Sequence, residues 1–365
     1  MSAASPAARL ARRTAAALVA VAAALLAAEL LARAAGVRPF PAWSPRYLHV
    51  ADPELGLVPS PSFVGRQETD EFSVEIRTNR LGLRSPEPAS DGERCVCVLG
   101  DSFAFGHGVA QDETVASRLQ AILRTPVQDA GVMSYGTWQA TARLRRLARE
   151  LHPTTCVLLF YAGNDALDNV HKALTVRDGY VMNAADDLTL PKRLKLWFKY
   201  RSSLYRVLVE ALHHPEIPGL CSDHPSTGFD LFRVARTRAV EDAWKLTLAD
   251  LAALRELCAS LASPLVVVCL PARYQVEPAW WQRHARACGF AERDFDLRRV
   301  QTELGAFCAD AGIPYLDVLD DFRASGESLY YQALLEMHLN ARGHALLAEL
   351  VARFLTANAL AGDPH

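Results

Sequence analysis

From residue 95 onward, short unbroken apolar runs alternate with apolar stripes at three- and four-residue spacing. Cys95-Val96-Cys97-Val98-Leu99 is too short for a lone helix and carries two β-branched residues, which predicts a strand buried on both faces. Cys156–Phe160 and Leu265–Leu270 repeat the pattern, and shorter strands are predicted near Val127 and from Tyr315 to Val318. Between them lie helical stripes: Val115, Leu119, Ile122 and Leu123; then Leu144, Leu147 and Leu151. Trp244, Leu248, Leu251, Cys258 and Leu261 form a third, and Leu297, Val300, Leu304 and Phe307 a fourth. A last helix begins near Ala341, with Leu347, Leu350, Val351 and Phe354 on one face. Strands joined by crossover helices predict an α/β fold over residues 94–360. Its form is a doubly wound, flavodoxin-like, parallel five-stranded sheet with helices on both faces.

The first 93 residues follow other patterns. Arg9, Arg12 and Arg13 precede an uncharged, mostly apolar run from Thr14 to Ala28; Glu29 interrupts it, and Leu30, Leu31 and Ala32 extend it to Arg33. A basic flank and an apolar core approaching about 20 residues predict a cytoplasmic tail and an N-terminal transmembrane signal-anchor helix within residues 1–35. Ala27-Ala28 before Glu29 keeps open the alternative of signal cleavage and secretion. Residues 36–93 read as a linker and N-terminal β extension, with six prolines between 36 and 62 and an alternating strand pattern from Phe72 to Arg77. Residues 170–235 break the later rhythm and predict a helical insertion over the strand ends. There Trp197, Phe198, Tyr200 and Tyr205 stand beside Lys192, Arg193, Lys195 and Lys199, a cluster suited to a lipid surface, an acidic glycan or a plain solvated helix face.

A net charge of −2 gives no reason to expect a nucleic-acid partner. The eight cysteines are no disulfide scaffold: Cys95, Cys97, Cys156 and Cys269 sit inside apolar runs, while Cys221, Cys258, Cys288 and Cys308 are open to pairing. No Cys/His spacing suits zinc, and no glycine-rich phosphate loop follows the first strand, so no metal or cofactor is expected.

Polar residues follow the predicted strand ends, where open α/β sheets keep their sites. Ser102 leaves the first strand within Gly100-Asp101-Ser102-Phe103; Gly131, Ser134, Tyr135 and Gly136 follow the second; Gly163-Asn164-Asp165 follows the third; Glu336 and His338 follow the fifth. A serine hydroxyl needs a base to become nucleophilic, and His338 is the candidate. Glu336, two residues earlier, is the nearest acid to orient it, with Asp317 and Asp321 as alternatives. Oxyanion donors would be the backbone N–H of Ser102, one from Ser134 or Gly136, and the Asn164 amide.

Taken together, these residues resemble the SGNH/GDSL hydrolases over about residues 94–356. Ser102 resembles the nucleophile, Gly136 or Ser134 the second-block glycine, Asn164 the third-block asparagine, and His338 in His338-Leu339-Asn340-Ala341-Arg342-Gly343-His344 the last-block histidine. Thr78-Asn79-Arg80-Leu81-Gly82-Leu83-Arg84 resembles the stretch before the catalytic domain in anchored members. Two positions depart: Glu336 stands where the family usually has Asp, and Asp129 where it usually has Asn. The resemblance implies a membrane-anchored serine esterase or O-acyl transferase facing the periplasm or exterior. Its substrate would be an acetyl or other short acyl ester of a cell-envelope glycan or lipid. The alternative is a non-catalytic glycan- or lipid-binding protein of the same fold.

Overall fold

Five strands form one parallel sheet in the computed structural model, which describes residues 6–40, 44–88, 94–171, 174–212, 228–332 and 337–361. They are β1 (Cys95–Gly100), β2 (Val127–Asp129), β3 (Pro153–Tyr161), β4 (Leu265–Leu270) and β5 (Tyr315–Asp317). Their order across the sheet is β2-β1-β3-β4-β5, the flavodoxin-like arrangement, and every neighbouring pair is parallel. All residues of β1 and β4 are buried, as their unbroken apolar runs require. The step from β1 to β2 runs one way across the sheet and the step from β2 to β3 the other. Right-handed crossovers therefore put their helices on opposite faces. Accordingly the Val115–Leu123 helix packs against Ala341–Ala357, while Thr137–Leu151 packs against Arg238–Ser260. The order reverses between β1 and β3, and beyond their carboxyl ends lies the crevice where such sheets bind ligands.

The chain divides into two compact units, Trp43–Asp187 with Cys221–His365, and Met1–Ala42 with Leu188–Leu220. The larger holds the sheet and three antiparallel hairpins. The region expected to be a linker contains the first, His49–Asp52 paired with Gly56–Pro59. Asp52 Oδ1 makes its turn by accepting the backbone N–H groups of Glu54 at 3.0 Å and Leu55 at 2.8 Å. The second pairs Val64–Glu68 with Ser73–Arg77, and the third Leu174–Arg177 with Tyr180–Asn183. Buried Leu55 and Leu57 cluster with Val132 and Tyr135, and Leu48 and Ile76 with Phe105 and Met133. The N-terminal extension thus packs under the loops that follow β1 and β2. Cys258 and Cys308 are buried free thiols, and Cys221 lies outside the described residues.

The expected 170–235 insertion is not all helical. Its start is the third hairpin, within the larger unit, and its helices belong to the smaller one. Asp178 and Gly179, both with positive φ, make the hairpin turn that the helical reading passed over. The smaller unit comprises the Pro6–Ala34, Leu190–Arg201 and Ser203–Leu212 helices. Its Arg12–Ala34 segment is the only helix among the described residues long and apolar enough to cross a membrane, and 6 % of its apolar window is buried.

Candidate active site

The nucleophile candidate is fixed by the way β1 ends. At Gly100 the backbone has φ 143°, and a Cβ there would meet the Leu159 carbonyl oxygen of β3 at 2.7 Å. Asp101 then caps a single helical turn, Ser102–Phe105, its Oδ1 accepting from Phe103 N at 2.8 Å. Ser102 is buried at the start of that turn, where its own N–H has no intrahelical acceptor.

His338 reaches Ser102 from the far end of the chain, with Nε2 2.8 Å from Ser102 Oγ. Its loop is held on both sides: Tyr331 N donates to the His338 carbonyl (3.1 Å) and Asn340 N to that of Leu329 (2.9 Å). Tyr331 Oη donates to Gly108 O (2.6 Å), and Arg273 to Tyr331 O (2.9 Å). The imidazole packs between Phe103 and His107, at centroid separations of 5.0 and 4.1 Å. Glu336 lies outside the described residues. Asp317 Oδ1 accepts from Leu319 N at 2.9 Å, in the turn that leads into the Leu319–Ala324 helix containing Asp321. His344 is buried within the final helix, and burial lowers its pKa to about 3.

The oxyanion candidates divide. Asn164 follows β3 and donates from Nδ2 to Asp168 at 2.8 Å, which fixes the amide and leaves its second hydrogen for another acceptor. Gly136 N instead donates to Gln139 Oε1 at 3.0 Å, at the start of the Thr137–Leu151 helix. Ser134, two residues earlier, has φ 65°, a conformation that glycine takes most easily. Gly131 lies so close to the serine turn that a Cβ would meet Ala104 Cβ at 2.5 Å and Phe105 N at 2.7 Å.

The sequence profile of the GDSL-like lipase/acylhydrolase family matches residues 98–346. The chain belongs to this family. It is thereby an acyl-ester hydrolase at family level. A search of the curated proteins matches nothing. Among solved structures it is similar to a G-D-S-L family lipolytic protein from Desulfitobacterium hafniense, at 14 % identity over 72 % of this chain and 99 % of that one, TM-score 0.37. Another from Veillonella parvula is 13 % identical over 72 % and 98 %, TM-score 0.40. The psychrotrophic esterase EstA from Pseudoalteromonas sp. is 12 % identical over 73 % and 98 %, TM-score 0.36.

Two residues of this GDSL-family hydrolase brace the serine turn from the N-terminal extension. Buried Arg84, which ends the Thr78–Arg84 stretch, donates to the carbonyls of Phe105 (3.1 Å), Gly106 and Val109 (2.6 Å). Gln67 donates from Nε2 to His107 Nδ1 at 2.9 Å and accepts from Gly108 N at 3.1 Å. Sequence reasoning assigned nothing to Gln67 or His107. The available signal was a histidine between two glycines just after the serine; Gly106 and Gly108 both have positive φ. Beside Arg84 and Arg143, burial raises the carboxyl pKa of Asp129 to about 8, despite the opposing pull of both guanidiniums and of Gly131 N.

Proposed function

We propose that the chain is a membrane-anchored serine hydrolase that forms an acyl-enzyme on Ser102, with an acetyl or other short acyl ester of a cell-envelope glycan or lipid as substrate. The 2.8 Å approach of Ser102 Oγ to His338 Nε2 carries this reading. Ser102 Oγ attacks the ester carbonyl carbon as His338 takes the hydroxyl proton. The Ser102 N–H, the Ser134 N–H and the second amide hydrogen of Asn164 hold the oxyanion. Ser134 is preferred to Gly136 because the Gly136 N–H is already held by Gln139. When the intermediate collapses, the C–O bond to the alcohol breaks and the alcohol leaves with the proton from His338. Water in hydrolysis, or a sugar hydroxyl in O-acyl transfer, then attacks the acyl carbon and gives its proton to His338, which returns it to Ser102 Oγ as the acyl–Oγ bond breaks and the acid or new ester leaves. Glu336 is proposed to orient His338 through Nδ1.

The anchor is the Pro6–Ala34 helix, its basic N-terminal end in the cytoplasm and the hydrolase domain outside. Against cleavage after Ala28 stands Glu29, which accepts from Ser203 N at 3.0 Å and Leu204 N at 2.9 Å and so ties the helix to the rest of its unit.

A serine-directed phosphonate tests the chemistry. Intact mass should show one adduct on the wild type and none on Ser102→Ala. An unlabelled wild type would refute the catalytic reading and favour binding without turnover. Acetate release from cell-envelope polysaccharide, compared with acetyl transfer to an added sugar, separates hydrolase from transferase.

A further inference from the structure

We infer that the Leu190–Arg201 and Ser203–Leu212 helices lie in the headgroup layer of the anionic phospholipid bilayer that the Pro6–Ala34 helix crosses. This rests on the anchor proposed above and assigns a membrane contact to a segment that the hydrolase chemistry does not use. The first observation is the face presented by the Leu190–Arg201 helix. Leu190, Leu194, Trp197 and Phe198 recur at three- and four-residue spacing and are 69, 50, 49 and 46 % exposed. Lys192, Lys195 and Lys199 recur at the same spacing on the opposite side, Arg193 and Arg201 add charge, and the helix has no acidic residue. Val207, Leu208 and Leu212 are further exposed apolar residues, on the next helix.

The second observation fixes the depth. Glu29 lies five residues before the end of the Pro6–Ala34 helix, a rise of about 7.5 Å. Its carboxylate accepts from Ser202 Oγ at 2.8 Å and from the Ser203 and Leu204 N–H groups, and pairs with Arg33 Nε at 2.7 Å. Arg33 Nη2 also donates to Arg201 O at 2.8 Å, and Phe40 N to Lys199 O at 3.2 Å. The junction between the two helices is therefore held at the outer end of the anchor, within the interfacial depth of a bilayer. A carboxylate at that depth persists because it is paired and hydrogen-bonded.

An amphipathic helix held there buries its apolar stripe at the headgroup–acyl boundary and leaves its lysines among the phosphates. Tryptophan suits that layer. An acidic glycan would satisfy the lysines and leave Leu190, Leu194, Trp197 and Phe198 in water, so the bilayer accounts for both faces.

Trp197 is the reporter. Full-length protein is reconstituted into vesicles containing phosphatidylglycerol, with and without brominated acyl chains, and its emission is compared with that of Trp197→Phe. The Trp197 component should be quenched by the brominated chains. Lys192→Glu/Lys195→Glu/Lys199→Glu should lower the docked-to-undocked ratio by about a hundredfold or more, at about 1 kcal/mol for each lysine removed. Leu18→Trp in the Trp197→Phe background reports the anchor itself. Quenching of the indole introduced by Leu18→Trp, with Trp197 unquenched in the wild type, overturns the interfacial assignment and leaves the anchor standing. Quenching at neither position means that the anchor reading fails, and this inference with it. A Trp197 shielded by a soluble acidic polysaccharide and insensitive to brominated lipid overturns it in favour of the glycan.

Discussion

Arg84→Met removes a buried cation whose guanidinium donates to three carbonyls of the 105–109 segment, those of Phe105, Gly106 and Val109. Methionine has similar reach and no donor. Each buried carbonyl left without a partner costs about 1–3 kcal/mol. Gly106 O keeps Val109 N at 3.4 Å, so two are left bare, and at about 2 kcal/mol each they come to about 4 kcal/mol. Removing a buried charge recovers part of its own desolvation penalty, so about 3 kcal/mol net is expected. That is a large share of the roughly 5–15 kcal/mol that holds a domain folded. For a unit of this size it corresponds to a Tm lower by about 5 °C. The same segment carries His107 against the His338 ring, so kcat should also fall, by roughly ten- to a hundredfold if the catalytic pair shifts by even an ångström. Calorimetry of the full-length chain in detergent measures the first effect, and burst kinetics with p-nitrophenyl acetate the second. Arg84→Lys, with one compact ammonium in place of a planar fork, should fall between wild type and Met. An Arg84→Met protein with Tm within about 2 °C of wild type and an unchanged burst rate would refute the bracing role.

Asn164→Ala should lower kcat by roughly 10²–10³ with KM nearly unchanged, and an effect confined to KM would remove it from the oxyanion hole. Glu336→Gln should cost up to roughly 10⁴ in kcat with the fold intact, whereas Asp317→Asn should leave the rate near wild type, its carboxylate being committed to Leu319 N. Asp129 binds its proton more tightly folded, with a pKa near 8 against the ordinary 3.8. Between those pH values the native state holds the extra proton, so its stability falls as pH rises through the window. Asp129→Asn should flatten that slope in pH-dependent denaturant melts and retain activity; an unchanged slope would mean that Asp129 is already ionised at neutral pH.

The sheet was legible because each central strand is an unbroken apolar run, which only burial on both faces rewards, as in Leu265–Leu270. That Ser102 and His338 could meet was legible by type and by position after strands, and the two lie 2.8 Å apart across 236 residues of chain. Of the N-terminal extension, the alternation from Phe72 to Arg77 marked one strand, observed as Ser73–Arg77, and the rest was not legible. Its strands are four or five residues long, and Tyr135 Oη to Leu57 O and Gln67 to His107 join residues 78 and 40 apart. No local periodicity encodes such pairings. The Leu174–Asn183 hairpin is a different case, because Asp178-Gly179 between two β-prone runs is a local turn signal, outweighed by the charged and aromatic helical stretch that follows. Gly136 against Ser134 was undecidable from composition, since the difference lies in a left-handed φ and in which N–H Gln139 holds.

Gln67 gives the extension a chemical bearing on the site as well as a structural one. Its Oε1 is committed to the Gly108 N–H, so its other end is the amide NH₂ and donates to His107 Nδ1. An imidazole that accepts at Nδ1 carries its proton on Nε2 and is neutral. The neutral ring lies 4.1 Å from that of His338, which in the proposed chemistry becomes positively charged when it takes the serine proton. Were His107 an imidazolium at that separation, it would oppose the charge by about 4 kcal/mol at an effective dielectric constant near 20. That is comparable to the whole contribution of one oxyanion donor. The stacked ring therefore lies against the His338 imidazole without penalising the protonation proposed for it, and the hairpin residue that keeps His107 neutral comes from a segment whose sequence shows no sign of chemistry.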